Sequence, residues 1–218
     1  MSQNLLLYGK KICFIGAHPD DIEIGCGALI SNIRDKADVL CVTLSDNQKN
    51  PKLTKLVKEH QNSMAKLGVK PENDILHIFE TRRFPDARQE ILEVLLDIRK
   101  NFQPELVFVH TTNDLHQDHV TVTQEALRAY RGITVLGYDV LRSSYGFFPH
   151  FLFEVTEQDV NNKLAAMAEY KTYQQHYYFD PEITRATMIR HGALSERQYA
   201  EGFDIIRVVA QFATEAIA

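Results

Sequence analysis

Short uninterrupted apolar runs alternate along this chain with longer stretches whose apolar positions return every three or four residues, and that alternation is the strongest constraint on its fold. The run from Lys11 to Ala17, with Ile12, Phe14 and Ile15, reads as a buried strand that stops at Gly16-Ala17. From Glu23 onward, Ile24, Ala28, Leu29 and Ile33 fall at helical spacing, with Asp20 and Asp21 suited to cap that helix. Val39 to Leu44 is a second strand, followed by a helix from Leu53 to Leu67 that Gly68 ends. Ile75 to Phe79 and Leu106 to His110 are read as strands, with a helix from Ala87 to Phe102 between them and another from near Asp118 to Arg131. Strands that alternate with helices imply a parallel sheet with right-handed crossovers, which binds ligands beyond the carboxyl ends of its strands. Farther on, Ile133 to Gly137 and Phe151 to Val155 are expected strands and Glu157 to Gln174 an expected helix, while Phe203 to Ala210 is either a last strand or a docked tail.

The 218 residues, 44% hydrophobic and 24% charged, fit one domain spanning 1–218 with a packed core. A formal net charge of -5 offers no basic field for nucleic acid or for an anionic membrane surface. No run reaches the roughly 18 apolar residues that span a bilayer, and Met1 to Asn4 carries no secretory pattern, so a cytoplasmic location is expected. Cys13, Cys26 and Cys41 lie in or beside apolar segments and read as buried thiols.

Two polar clusters stand where strands end. His18-Pro19-Asp20-Asp21 follows the first strand, and His116-Gln117-Asp118-His119 follows the strand that ends at His110. A catalytic zinc takes about three ligands from His, Asp, Glu or Cys and keeps one position open. His18 and Asp21 suit that task across a turn held by Pro19, and His119 or His116 can supply the third ligand. Asp20, beside a ligand yet not needed as one, is placed to accept a proton from water. Asp118 can bond a ring nitrogen of His116 and favour its cationic form, which would stabilise an oxyanion or protonate a leaving amine. A lone His beside Asp is most often a solvated loop or a helix cap. Two such clusters on the ligand-binding edge of one sheet argue for a metal site instead.

These residues resemble the PIG-L/LmbE-like family of zinc-dependent N-deacetylases. Ala17-His18-Pro19-Asp20-Asp21-Ile22-Glu23 with Ile24-Gly25-Cys26-Gly27 resembles its first motif, and Asp114-Leu115-His116-Gln117-Asp118-His119 its second. Arg190-His191-Gly192 and Tyr199-Ala200-Glu201-Gly202-Phe203 resemble its C-terminal signature. The resemblance implies an α/β, Rossmann-like three-layer sandwich with a mostly parallel sheet. It also implies a Zn2+ cofactor on His18, Asp21 and His119, Asp20 as general base, and His116 as an electrophilic partner oriented by Asp118. The implied substrate is a small N-acetylated compound, an amino sugar or a relative of one, and the implied assembly is a homo-oligomer. A zinc amidase for another N-acyl amine is the alternative reading. A metal-free nucleotide-binding domain is disfavoured because Gly16, Gly25 and Gly27 are wrongly spaced for a dinucleotide loop and acidic residues fill the turn. The segment Ser45 to Asn50 lacks the glycines common in the family, and Leu56 stands where arginine is common. Arg82-Arg83-Phe84 is a candidate substrate contact, and Tyr170, Tyr173, Tyr177 and Tyr178 are candidates for sugar stacking or for packing.

Overall fold

The computed structural model describes residues 7, 9–50 and 52–210; Met1 to Asn4 and the last residues of the 1–218 span lie outside the described residues. The elements run β1 (Lys11–Gly16), α1 (Asp21–Ile33), β2 (Asp38–Thr43), α2 (Leu56–Leu67), β3 (Asp74–Leu76), α3 (Arg88–Phe102) and β4 (Leu106–His110). They continue as α4 (Gln117–Ala129), β5 (Thr134–Tyr138), β6 (Phe151–Glu154), α5 (Glu157–Met167), α6 (Pro181–Leu194) and β7 (Ala200–Arg207). All seven strands join one sheet in the order β3-β2-β1-β4-β5-β7-β6. The pairings from β3 through β5 are parallel, whereas β7 runs antiparallel to both β5 and β6.

Side chains of one strand point alternately to the two sheet faces, and β1 divides accordingly. Ile12 and Phe14 join a core with Leu29 and Ile30 of α1, while Cys13 and Ile15 join another with Ile91 and Leu95 of α3. Central strands covered on both faces carry apolar residues without interruption, which is why they were readable as runs. Helices α1, α2 and α5 pack together, as do α3 and α4, so the sheet lies between two helical layers.

The structure shortens some expected elements. Regular pairing of β3 ends at Leu76, although His77 and Phe79 still donate main-chain bonds to Thr43 and Leu44 at 2.8 and 3.0 Å. Helix α5 stops at Met167 instead of Gln174 because Tyr170 turns inward, fully buried, and donates its hydroxyl to Glu23. The final run is a strand, and it starts at Ala200, earlier than its apolar stretch. Helix α6 was not foreseen; Asp180 accepts the Glu182 N–H at 2.8 Å to cap it, and Pro181 occupies its first turn. All three cysteines are buried and free, as expected. Among the described residues no helix is long and apolar enough to cross a membrane.

Candidate metal and catalytic site

Both clusters lie beyond the carboxyl ends of adjacent strands, β1 and β4, and the fold brings them into contact. Asp20 ends the turn after β1 with φ 101°, a left-handed backbone that a non-glycine residue adopts only under constraint. It stands at the N-cap of α1 but makes no side-chain cap bond, contrary to the expected capping role. Its carboxylate lines a cavity instead.

Three donor atoms form a triangle. His18 Nδ1 lies 3.2 Å from His119 Nε2 and 3.4 Å from Asp21 Oδ2, and the last two are also 3.4 Å apart. Ligands about 2.0–2.2 Å from a tetrahedral zinc stand roughly 3.3–3.6 Å from one another, so the triangle fits one face of such a site. The donor types fit as well. His116 does not belong to this triangle; it forms a second possible group with His18 and Asp118, and a third joins His110, Asp114 and His119.

Each candidate ligand is fixed from behind. Asp118 Oδ2 bonds His18 Nε2 at 2.9 Å, and Asp114 Oδ2 bonds His119 Nδ1 at 2.9 Å. A carboxylate on the far nitrogen of a ligating histidine sets its tautomer and aims its lone pair. Asp21 Oδ2 accepts the N–H groups of Ala17 and His18 at 3.1 and 2.8 Å. Asp114 also accepts Ser143 Oγ–H and the His116 N–H, at 2.9 and 2.8 Å. Asp114 stands in the second motif but had drawn no role from the sequence, and neither had His110. That histidine stacks on His119 with ring centroids 3.8 Å apart, accepts the Ala17 N–H at 3.1 Å, and contacts Tyr138 Oη at 3.3 Å.

The expected pairing of Asp118 with His116 is corrected by these contacts. The Asp118 carboxylate bonds His18 and also accepts the N–H groups of Arg82 and Phe84 at 2.6 and 3.2 Å. His116 Nδ1 instead accepts the Asp118 backbone N–H at 3.1 Å, which leaves the proton on Nε2. Burial, then the neighbouring His119 and His18, push His116 down to about 4, so the imidazole is neutral near pH 7.

Charge is sharply partitioned among the other groups. Burial opposes a charge on His18, but bonds to Asp118 and Asp21 outweigh it and raise its value to about 9. For Asp21 burial is likewise outweighed, by His119, His110 and His18, and the carboxyl is held below the ordinary range. Asp20 goes the other way: burial first, then Asp21 and Glu23, lift it well above an ordinary carboxylate. Two adjacent carboxyls pushed in opposite directions have the form of a ligand beside a proton carrier.

The cavity holds about 610 Å³ and is bounded by His18, Asp20, Asp21, His116 and His119 on the side of the candidate donors. Arg82 lines it, whereas Arg83 pairs with Asp86 at 3.2 Å and Phe84 is fully buried. Tyr173 and Tyr178 line it too, while Tyr170 is core and Tyr177 is 86% exposed outside. The glycine-poor segment contributes Ser45, Asn47, Lys49 and Asn50 to its wall.

Residues 13–130 match the family described as PIG-L: GlcNAc-PI de-N-acetylase. A protein of Escherichia coli K12 named uncharacterized deacetylase YaiS is 32% identical over 174 residues, which cover 75% of this chain and 91% of that protein. The chain belongs to the PIG-L family. Among solved structures, N,N'-diacetylchitobiose deacetylase from Pyrococcus horikoshii is similar with a TM-score of 0.70 at 20% identity, covering 90% of this chain and 84% of that one. A 4-carboxy-2-hydroxymuconate hydratase from Pseudomonas putida reaches a TM-score of 0.72 at 19% identity, over 94% of this chain and all of that one. The architecture of the PIG-L family thus occurs with more than one chemistry, and the reaction of this member has to be argued from its site.

Proposed function

We propose that the chain hydrolyses the amide of an N-acetylated amino sugar, or of a small molecule related to one, with a zinc ion on His18, Asp21 and His119. The observation that carries this reading is the triangle of donors 3.2–3.4 Å apart, with the buried carboxyl of Asp20, which makes no helix-cap bond, beside it. When bound, zinc supplies Lewis acidity toward a carbonyl oxygen and makes water acidic enough to ionise near neutral pH. Asp20 accepts the proton of the attacking water, a task suited to a carboxyl whose affinity for protons is raised by burial and by the neighbouring Asp21 and Glu23. The neutral His116 donates its Nε2–H to the oxygen on which negative charge develops, since Nδ1 is already engaged by Asp118 N–H. Asp20 then returns its proton to the departing amine, leaving acetate and the free amino compound. Asp118 and Asp114 hold the two histidine ligands in the tautomers the metal needs.

Arg82, Tyr173 and Tyr178 on the cavity wall support a polyhydroxylated ring as substrate, because guanidinium groups bond hydroxyls and aromatic faces stack on sugars. The test is acetate release from a panel of N-acetylated amino sugars and other N-acyl amines, using protein stripped of metal and then reloaded with zinc. Acetate from the sugars that needs zinc supports the proposal. Turnover of only non-sugar acyl amines would shift the substrate to the amidase alternative, and zinc-loaded protein that hydrolyses no amide would overturn the reaction itself.

A further inference from the structure

A buried ion pair lies outside the metal-ligand cluster. Lys163 on α5 and Glu201 on β7 are 4% and 2% exposed, and their charged ends meet at 2.6 Å. Neither lines the metal cavity. Both ends bond the backbone of α1: Lys163 Nζ donates to the Ile24 carbonyl at 2.6 Å, and Glu201 accepts the N–H groups of Ala28 and Leu29 at 3.0 and 2.7 Å. In a regular helix the Ile24 carbonyl takes the Ala28 N–H, so both members of that helical pair here have a partner from outside the helix.

The glycines of Ile24-Gly25-Cys26-Gly27 admit this arrangement. A Cβ on Gly27 would lie 3.1 Å from Lys163 Cγ, and one on Gly25 would lie 2.2 Å from the Tyr138 ring. Tyr138 in turn bonds the Ile15 carbonyl at 2.8 Å and touches His110. Helix α1 is therefore seated on β5 and clamped by α5 and β7 within about a turn and a half. That stretch adjoins the catalytic end, because the Ile24 N–H bonds the Asp20 carbonyl at 2.9 Å.

Burying an ion pair is costly, and apolar residues of similar volume often stabilise a fold as well or better. Stability alone therefore does not account for this pair. Directed bonds to particular carbonyl and N–H groups do what apolar contact does not: they fix the position of a helix along its own axis. We infer that Lys163 and Glu201 are positioning residues that set α1 in register, and so hold Asp20 and Asp21 in place against His119. The inference rests on the reading of His18, Asp21 and His119 as metal ligands.

Cobalt(II) is the probe, because its visible absorption reports ligand geometry without any substrate. The double variant Lys163→Met/Glu201→Leu removes both charges together and leaves no lone buried charge. It is expected to fold with a melting temperature near that of the wild type, to bind Co2+ roughly tenfold more weakly, as loss of support behind a ligand does, and to show a shifted visible band. Gly27→Ala keeps the charges, replaces a helix-interior glycine with a better helix former, and presses on the Lys163 stem. It is expected to lose Co2+ affinity in the same direction, by less, without losing thermal stability. If the double variant does not fold, Gly27→Ala decides the matter. A folded variant with wild-type spectrum and affinity overturns the inference alone. Wild-type protein with no Co2+ band overturns the metal-ligand reading and the inference with it.

Discussion

At Asp20 a left-handed backbone and a buried, proton-hungry carboxyl coincide. The strain has no capping bond to offset it, and side chains held in such conformations cluster where geometry serves chemistry. Replacing Asp20 with Asn keeps the shape and removes the proposed proton acceptor. Under the proposed mechanism the variant should still bind zinc while kcat falls by about 10²–10⁴, the usual worth of a positioned general base. Steady-state kinetics alongside metal analysis check this, and undiminished kcat would remove Asp20 from the mechanism. Asp114 acts one bond farther back, on His119 Nδ1. Asp114→Ala should weaken zinc binding by about 10–100-fold, as measured by competition with a chromogenic chelator; unchanged affinity would make Asp114 a loop-bracing residue only. A proton-accepting role for Asp20 follows from residue type and from its place beside a candidate ligand. Which histidine each acid serves does not, because Asp118 sits beside His116 in the chain yet its carboxylate turns away, toward His18 and the loop at Arg82.

Elements are tied together by a buried histidine outside the candidate site. His60 of α2 bonds Asp74 at the start of β3 at 3.1 Å and the Tyr170 hydroxyl at 2.9 Å, with Glu23 of α1 3.6 Å away. Burial opposes its charge, but the bond to Asp74 and the nearby Glu23 carboxylate prevail and raise it from 6.5 to about 10. A group whose folded value is raised stabilises the fold fully below its unfolded value, and loses that contribution as pH rises through the folded one. Unfolding free energy should therefore decline between about pH 6.5 and 10 in the wild type, and the decline should flatten in His60→Gln. Urea titrations of both proteins at pH 6 and pH 9 test this, and equal declines would count against the network. Tyr170 also shows why α5 was overestimated: helical spacing continues in sequence past Met167, but burial of one tyrosine against Glu23 and His60 takes the chain out of the helix. Helix α6 escaped notice for the opposite reason, since only Met188, His191 and Gly192 are buried along it and no apolar stripe marks the core side. The central strands were legible because both of their faces are covered, and β7 was ambiguous because Asp204 and Arg207 interrupt its apolar run.

Across the whole molecule the proposed ligands come from two places about a hundred residues apart, the β1–α1 turn and the first turn of α4. Their place on one edge of the sheet, where they could meet, was legible once the strands were counted, since a parallel sheet puts its carboxyl ends on one edge; that β1 and β4 are neighbours was not. The wall of the cavity was not, because it is assembled from loops whose geometry no local pattern fixes: Arg82 enters and Arg83 does not. A metal that links two distant segments binds the folded chain and not the unfolded one, so it adds to stability by mass action. At free zinc about 100 times Kd the gain is about 2.7 kcal/mol, and for a domain of this size each kcal/mol moves the melting temperature by about 2–4 °C. Zinc-loaded protein should thus melt about 5–11 °C above the same protein after chelation. The difference should shrink in Asp21→Asn, which keeps the turn but weakens one corner of the triangle. Scanning calorimetry of the four samples separates a site that holds metal from a cluster of histidines and acids that satisfy only one another: in the second case chelation leaves the wild-type melting temperature where it was.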